Sequence, residues 1–259
     1  MGAVSVLILA STSVYRRELL ARLGLPFDAL PPGVSEAHLT GESPADRALR
    51  LALEKAGAVA RAHPEAVMIG ADQVAACAAQ LLEKPGDAAR CGEQLATLSG
   101  RTALFYTACA VLGRGGTVHF AHIDTTTAVF RRLSGAEIER YVARERPFDC
   151  AGGFRAEALG ISLFECIESR DPTALIGLPL IWLAGALRDA GFLEREPEGP
   201  VCGRLTGEVR LIHTRWERFE GHTEPREKLA SVHRGRGEDQ HAHGTHGSLG
   251  AMRIALRKQ

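Results

Sequence analysis

Neither sign of charge predominates in this chain: lysine plus arginine and aspartate plus glutamate number 31 each among 259 residues. Without a global field it has no long-range means of gathering nucleic acid or of adhering to an anionic membrane, so both partners are disfavoured, although a local basic pocket is not. No apolar run approaches the roughly 20 residues of a membrane span. The apolar stretch 4–10 is short, has no positive charge before it and runs into Arg16, Arg17 and Glu18 without a small-residue cleavage pattern. It reads as a buried strand rather than a secretory leader. Paired cysteines are absent too: Cys77, Cys91, Cys109, Cys150, Cys166 and Cys202 stand singly, with no CxxC. That spacing excludes a dense disulfide framework and fits a reducing cytoplasm. Neither a Walker loop, GxxxxGK[ST], nor the dinucleotide fingerprint GxGxxG occurs, and no internal repeat is apparent. A globular chain remains, 45% hydrophobic and long enough for one large domain or two small ones.

The periodicity that is present alternates strands with helices. "VSVLILA" is β-branched and apolar on both faces, the pattern of a strand covered on both sides. "RRELLARLG" puts Leu19, Leu20 and Leu23 on one helical face, with Gly24 to end it. "PPG" at 31–33 marks a turn, after which Ser43 as N-cap, Pro44 at the first helical position and Asp46 completing a capping box open a long helix. "AVMIGADQV" reads as a second buried strand ending in Asp72 and Gln73, and a helix follows from about Asp87 to Leu98, stopped by Gly100. "RTALFYTACAVL" and "TVHFAHIDTTTAVF", joined by "GRGG", read as a hairpin. Ser134 and Glu137 form a second capping box, and the glycine pair in "CAGGF" permits a close backbone approach. "ISLFECIES" then predicts a strand, and "DPTALIGLPLIWLAGALRDAG" a final helix with Pro179 in its first turn.

Character changes after Phe192. Residues 193–259 are rich in glycine, glutamate, arginine and histidine, with little periodicity beyond a candidate strand at "GEVRLIH". The chain therefore divides into a core domain at 1–192 and a polar extension at 193–259, expected to be poorly ordered. His241, His243 and His246 in "HAHGTH" have a spacing open to zinc or nickel, but no cysteine or carboxylate nearby completes a site, which favours a plain polar tail.

The chemistry concentrates at "ILASTSVYRR", residues 8–17. A strand that ends in small hydroxyl residues and feeds a helix through two arginines converges backbone N–H groups, hydroxyls and guanidinium forks on one point, which suits a phosphate chain. Arginines at a helix N-terminus oppose the dipole and are costly without a bound anion. Lys55, Lys84, Glu36 and Asp72 stand where loops meet regular structure. Together they supply what phosphoanhydride cleavage needs: cations for the charge, carboxylates for a metal and one base to orient water. Taken singly, each lysine reads as an exposed charge. Cys150 reads as a small buried residue rather than a nucleophile, with no histidine close in sequence to activate it.

"ILASTSxxRRELL", "GADQV", "EKP", "CAGGF" and "DPTALIGLPL", in this order across about residues 5–192, resemble the signature segments of the Maf family of nucleoside triphosphate pyrophosphatases. The resemblance implies an α/β fold of the Maf/ITPase-like type, a twisted mixed sheet flanked by helices with a cleft between two lobes. It also implies hydrolysis of a nucleoside triphosphate to the monophosphate and pyrophosphate, dependent on a divalent cation such as Mg2+ or Mn2+. Carried over by residue, Ser11, Ser13 and Arg16 match the family's phosphate loop, Lys55 and Lys84 its further phosphate-binding positions, and Glu36 a metal-binding one. Asp72 matches the catalytic acid, as base, metal ligand or both. A homodimer is left open.

Family members divide by the base they accept, and the three positions that carry the division read Tyr15, Gln73 and Glu157, the combination that resembles the subfamily acting on 7-methyl-GTP. The physics agrees. N7-methylation leaves a positive charge on the purine, and stacking on Tyr15 gains about 0.5–2 kcal/mol. A carboxylate at Glu157 accepts from guanine N1–H and the exocyclic amine together. Thymine and uracil instead flank one N–H with two carbonyl oxygens, which a carboxylate repels. Without the family pattern, Tyr15 reads as packing on the first helix and Glu157 as a solvated loop charge. The rival readings are the same chemistry on dTTP or UTP, and a nucleotide-binding regulator of septum formation.

Overall fold

Leu7–Ala10 forms β1, all four residues buried, in a computed structural model that describes residues 6–193 apart from Ala79. The candidate strand "GEVRLIH" and the histidine cluster of "HAHGTH" lie outside the described residues. β1 pairs in parallel with β2 (Asp28–Leu30) on one side and with β3 (Val67–Cys77) on the other. β2 carries no signal in the sequence, since three residues cannot establish a period.

Helix α1 (Val14–Ala21) starts immediately after the Ser11–Ser13 loop, with the Ser13 hydroxyl accepting from the Arg16 backbone N–H at 3.4 Å. The long helix α2 (Pro44–Ala60) begins where expected: Ser43 Oγ accepts from Asp46 N at 3.1 Å. The return half of the capping box differs, because Asp46 Oδ2 accepts from the Ser43 hydroxyl at 2.6 Å. The inward face of α2 is Ala48, Leu51, Ala52, Lys55, Ala56, Val59 and Ala60, a 3.6-residue stripe of small and apolar side chains with one lysine in it. Gly70 on β3 is what lets this helix lie so close. A Cβ there would stand 2.1 Å from the Ala52 carbonyl oxygen and 2.8 Å from the Ala56 methyl.

β3 does not end at Asp72 and Gln73 as the sequence suggested; it runs on to Cys77 and turns through Ala78, at φ 53°, into β4 (Gln80–Leu82). Alanines at 75 and 76 are weak strand signals, and pairing with β4 and with β5 (Thr102–Leu112) is what holds them extended. The seven strands follow the order β2-β1-β3-β5-β6-β7 with β4 on β3, where β6 is Val118–Phe130 and β7 Phe164–Glu168. The β5–β6 hairpin is as expected. β7 begins later than expected, because Leu159–Leu163 winds into a 3-10 segment.

α3 (Ala88–Leu98), capped by Asp87, and α4 (Gly135–Glu145), with the full Ser134/Glu137 capping box, both match expectation. The final helix does not. Ala174–Ile176 is a single 3-10 turn, Gly177 breaks the chain at φ 122°, and α5 runs only over Leu180–Asp189 with Pro179 as its N-cap. Asp171, 2% exposed, organises this break: Oδ1 accepts from the backbone N–H and hydroxyl of Thr173, and Oδ2 from Ile181 N.

Three cores result. Leu7, Leu9, Ile69 and Val111 pack against α1 and α5 on one sheet face, while Ile8, Met68, Val74 and Ala110 pack against the alanines of α2 on the other. At the far end of the long strands an aromatic group, Phe105, Phe130, Phe154 and Phe164, packs with α3 and α4, its neighbouring ring centroids 4.7 to 5.6 Å apart. These cores make two lobes strung on β3, β5 and β6.

Candidate active site

β3 has two different neighbours along one edge. Its first half, Val67–Gly70, pairs with β1, and its end, Ala75–Cys77, pairs with β4. The residues between those pairings, 71–74, include Asp72 and Gln73, so the edge opens into the cleft at these side chains. The Ser11–Ser13 loop leaves β1 beside the same gap, because Ala10 is in register with Gly70. The cavity formed there has a volume of about 510 Å³ and is lined by all ten residues singled out from the sequence: Ser11, Ser13, Tyr15, Arg16, Glu36, Lys55, Asp72, Gln73, Lys84 and Glu157. Arg17 does not line it; that side chain is exposed on the outer face of α1. The pair of arginines therefore splits, and only Arg16 faces the cleft.

Lys55 is the hub. Its Nζ lies 2.6 Å from Asp72 Oδ1 and 2.5 Å from Glu36 Oε1, with both Lys55 and Asp72 almost fully buried. Partial burial pushes the Glu36 carboxyl upward, but the Lys55 hydrogen bond and charge, with the charges of Lys84 and Arg16, outweigh it and hold the group below its usual value. Glu36 sits on an irregular loop that α2 ties down through two arginines. Arg47 Nη2 donates to the Glu36 carbonyl at 3.0 Å, and Arg50 donates to the Ala37 carbonyl and, through two nitrogens, to the Glu42 carboxylate. Arg47 also lines the cavity. Its position four residues before Leu51 gave no sign of this task.

Across the cleft, Arg16 Nε donates to the Gly177 carbonyl at 3.0 Å, joining α1 to the break before α5. Gln73 Nε2 donates to Thr107 Oγ1 and to the carbonyls of Ala174 and Leu175, at 2.9 to 3.0 Å. The amide nitrogen of Gln73 thus supports the 174–176 turn that forms one wall. The glycine pair works as the sequence suggested: Gly152 and Gly153 adopt φ 84° and 70°, and a Cβ would meet the Phe154 ring at 2.8 Å and Cys91 Sγ at 2.9 Å. Glu157 follows, exposed at the cavity rim. Cys150 is half-buried in the wall, and burial pushes its thiol upward, against a nucleophilic role.

Two carboxylates that converge on one ammonium present hard oxygens to a common point. Mg2+ is commonly held by one or two carboxylates with phosphate oxygens and waters completing the shell, so Glu36 and Asp72 fit such an ion. Among the described residues no three of histidine, cysteine, aspartate and glutamate gather into a ready-made cage. The remaining ligands would come from phosphate and water.

A hydroxyl-lined loop at a strand-to-helix junction, with a buried lysine and two carboxylates opposite, gives this α/β fold a cleft whose groups suit a phosphorylated ligand. The chain belongs to the Maf family: the family described as Maf-like protein matches residues 6–190. A 7-methyl-GTP pyrophosphatase of Xanthomonas oryzae pv. oryzae is 54% identical over 186 residues, covering 72% of this chain and 97% of that protein. One of the same name from Aromatoleum aromaticum is 51% identical over 190 residues, 73% of this chain and 97% of that protein. Among solved structures, the Ham1 protein of Staphylococcus aureus matches with a TM-score of 0.41 at 14% identity, over 71% of this chain and 98% of that one.

Proposed function

We propose that the chain hydrolyses 7-methyl-GTP to 7-methyl-GMP and pyrophosphate, with residues 1–192 as the catalytic unit. The observation that carries this reading is the convergence on one cavity of the phosphate-loop residues, the Lys55–Asp72–Glu36 group and the base-reading pair Tyr15 and Glu157. The names of the relatives and the extent of the family match support it.

In this reading Ser11, Ser13 and the first N–H groups of α1 receive the phosphate chain, with Arg16, Lys55 and Lys84 supplying positive charge. Asp72 orients the attacking water and takes its proton, and Lys55 fixes the carboxylate for that task. A magnesium or manganese ion, held by Glu36 and Asp72, supplies charge neutralisation to the phosphates when bound. Tyr15 lies under the methylated purine, and Glu157 accepts from its N1–H and amine edge. Gln73 acts by keeping the 174–176 wall in place.

The products distinguish this reaction from other hydrolyses. Incubation with 7-methyl-GTP and magnesium is expected to yield 7-methyl-GMP and pyrophosphate by mass spectrometry, and chelation with EDTA to stop it. Release of 7-methyl-GDP and phosphate instead would contradict the assignment of the bond cleaved. The six separated cysteines, of which the five described are free, support a cytoplasmic location. No described helix is long and apolar enough to cross a membrane.

A further inference from the structure

Tyr15 and Glu157 belong to different lobes of the cleft, one on α1 and the other on the loop after Gly153. What joins their two walls is Asp149. The Tyr15 hydroxyl donates to its carboxylate at 3.2 and 3.4 Å across 134 residues of sequence. From the other side Arg155 Nη2 donates to Asp149 Oδ1 at 3.3 Å. Arg155 is itself anchored on α4: its Nη1 donates to the Glu145 carbonyl at 3.3 Å and its backbone N–H to the Tyr141 hydroxyl at 3.0 Å. The Arg155 guanidinium lies over the Tyr15 ring, 5.7 Å from its centroid, while Tyr15 and Asp149, but not Arg155, line the cavity. The chain of contacts runs from α1 through Asp149 and Arg155 to the end of α4.

We propose that Asp149 is a positioning residue of the base subsite: by holding the Tyr15 hydroxyl it fixes the aromatic ring in the wall of the cavity that Glu157 also lines. This rests on the assignment of Tyr15 as the base platform made above. An unheld tyrosine has two free torsions and must be ordered at each binding event. A tyrosine already bonded at its tip presents its face without that entropy loss. The effect belongs to nucleotide binding, because Asp149 is on the base side of the cleft and Asp72 on the phosphate side.

The test uses the full chain and the triphosphate it hydrolyses fastest. Asp149→Ala and Tyr15→Phe each remove the bond from one end. Each is expected to raise KM about two- to fivefold, the size of one solvent-exposed hydrogen bond to a carboxylate, with kcat within about twofold. The double variant is expected to lose less than the two single losses combined, since both substitutions break the Tyr15–Asp149 bond. Asp149→Ala also frees Arg155 Nη2, and Tyr15→Phe also removes the oxygen that accepts from the Cys150 thiol at 3.7 Å. Asp149→Asn keeps an acceptor for the hydroxyl and is expected to recover most of the KM. Additive losses, or a fall in kcat with KM unchanged, would overturn the proposal. The choice of triphosphate separates this result from the substrate reading. If wild-type enzyme prefers another nucleotide over 7-methyl-GTP, the substrate reading fails, yet the KM pattern of the four variants still decides the role of Asp149.

Discussion

Lys55 Nζ and Asp72 Oδ1 lie 2.6 Å apart in a site where each side chain is less than a tenth exposed. A buried carboxylate deprived of its partner is far worse placed than the pair. Lys55→Met should therefore destabilise the fold by about 3 kcal/mol as well as abolish turnover, lowering the melting temperature by about 6–12 °C for a domain of this size. Adding Asp72→Asn to Lys55→Met should restore much of that loss, since the orphaned charge is gone. Thermal denaturation of the two single variants and the double one measures this coupling, and strictly additive shifts would contradict it.

Glu157 stands exposed at the rim of the cavity, so replacing it should leave stability unchanged and alter choice of base. Glu157→Gln offers one acceptor where the carboxylate offers two, and its amide can donate to a pyrimidine carbonyl. The ratio of kcat/KM for 7-methyl-GTP over UTP should fall by about 10–100-fold, the value of one lost charge-assisted hydrogen bond and one repulsion removed. Steady-state kinetics on both substrates gives that ratio, and an unchanged ratio would end this account of base reading.

Asp124 on β6 is buried beside Ser169, which donates to its Oδ1 at 3.3 Å, and His122, which stacks on Trp182. Burial raises its pKa above the ordinary 3.8, and the His122 charge and the Ser169 hydrogen bond only partly oppose this. A carboxyl whose folded pKa is raised favours folding in its protonated form. Its contribution is complete below the unfolded pKa and is lost as pH rises through the folded value. Asp124→Asn is therefore expected to melt higher than wild type at pH 7, with the difference shrinking as pH is lowered toward 3.8. Melting curves from pH 7 to 4 follow this, and a difference that is constant or grows toward acid would refute the sign.

The parts of the fold that the sequence made legible are those with local chemistry. Ser43, Asp87 and Ser134 sit at helix starts because a hydroxyl or carboxylate meets free N–H groups there, a relation readable within four residues. Other features depend on distant partners. The extension of β3 through Ala75–Cys77 is imposed by β4 and β5, and the break at Gly177 by Asp171 and Thr173 acting on Ile181 and Leu178. In the site, the hydroxyl-rich segment at 11–13 and the acidic residue at 72 were legible as motifs, and both line the cavity. The burial of Lys55 had a signal as well, a lysine inside the apolar stripe of α2. Asp149 and Arg47 had none, because their roles consist of bonds made across 134 and 11 residues.

In the proposed reaction, Asp72 is the residue through which this cleft cleaves a methylated purine triphosphate. Pyrophosphate release with magnesium, measured across 7-methyl-GTP, GTP, dTTP, UTP and CTP for wild type and Asp72→Asn, tests it most directly. Preferential turnover of 7-methyl-GTP, reduced at least about 100-fold in Asp72→Asn, is the predicted result. Preference for a pyrimidine would contradict the roles of Tyr15 and Glu157, and undiminished turnover by Asp72→Asn would contradict the mechanism itself.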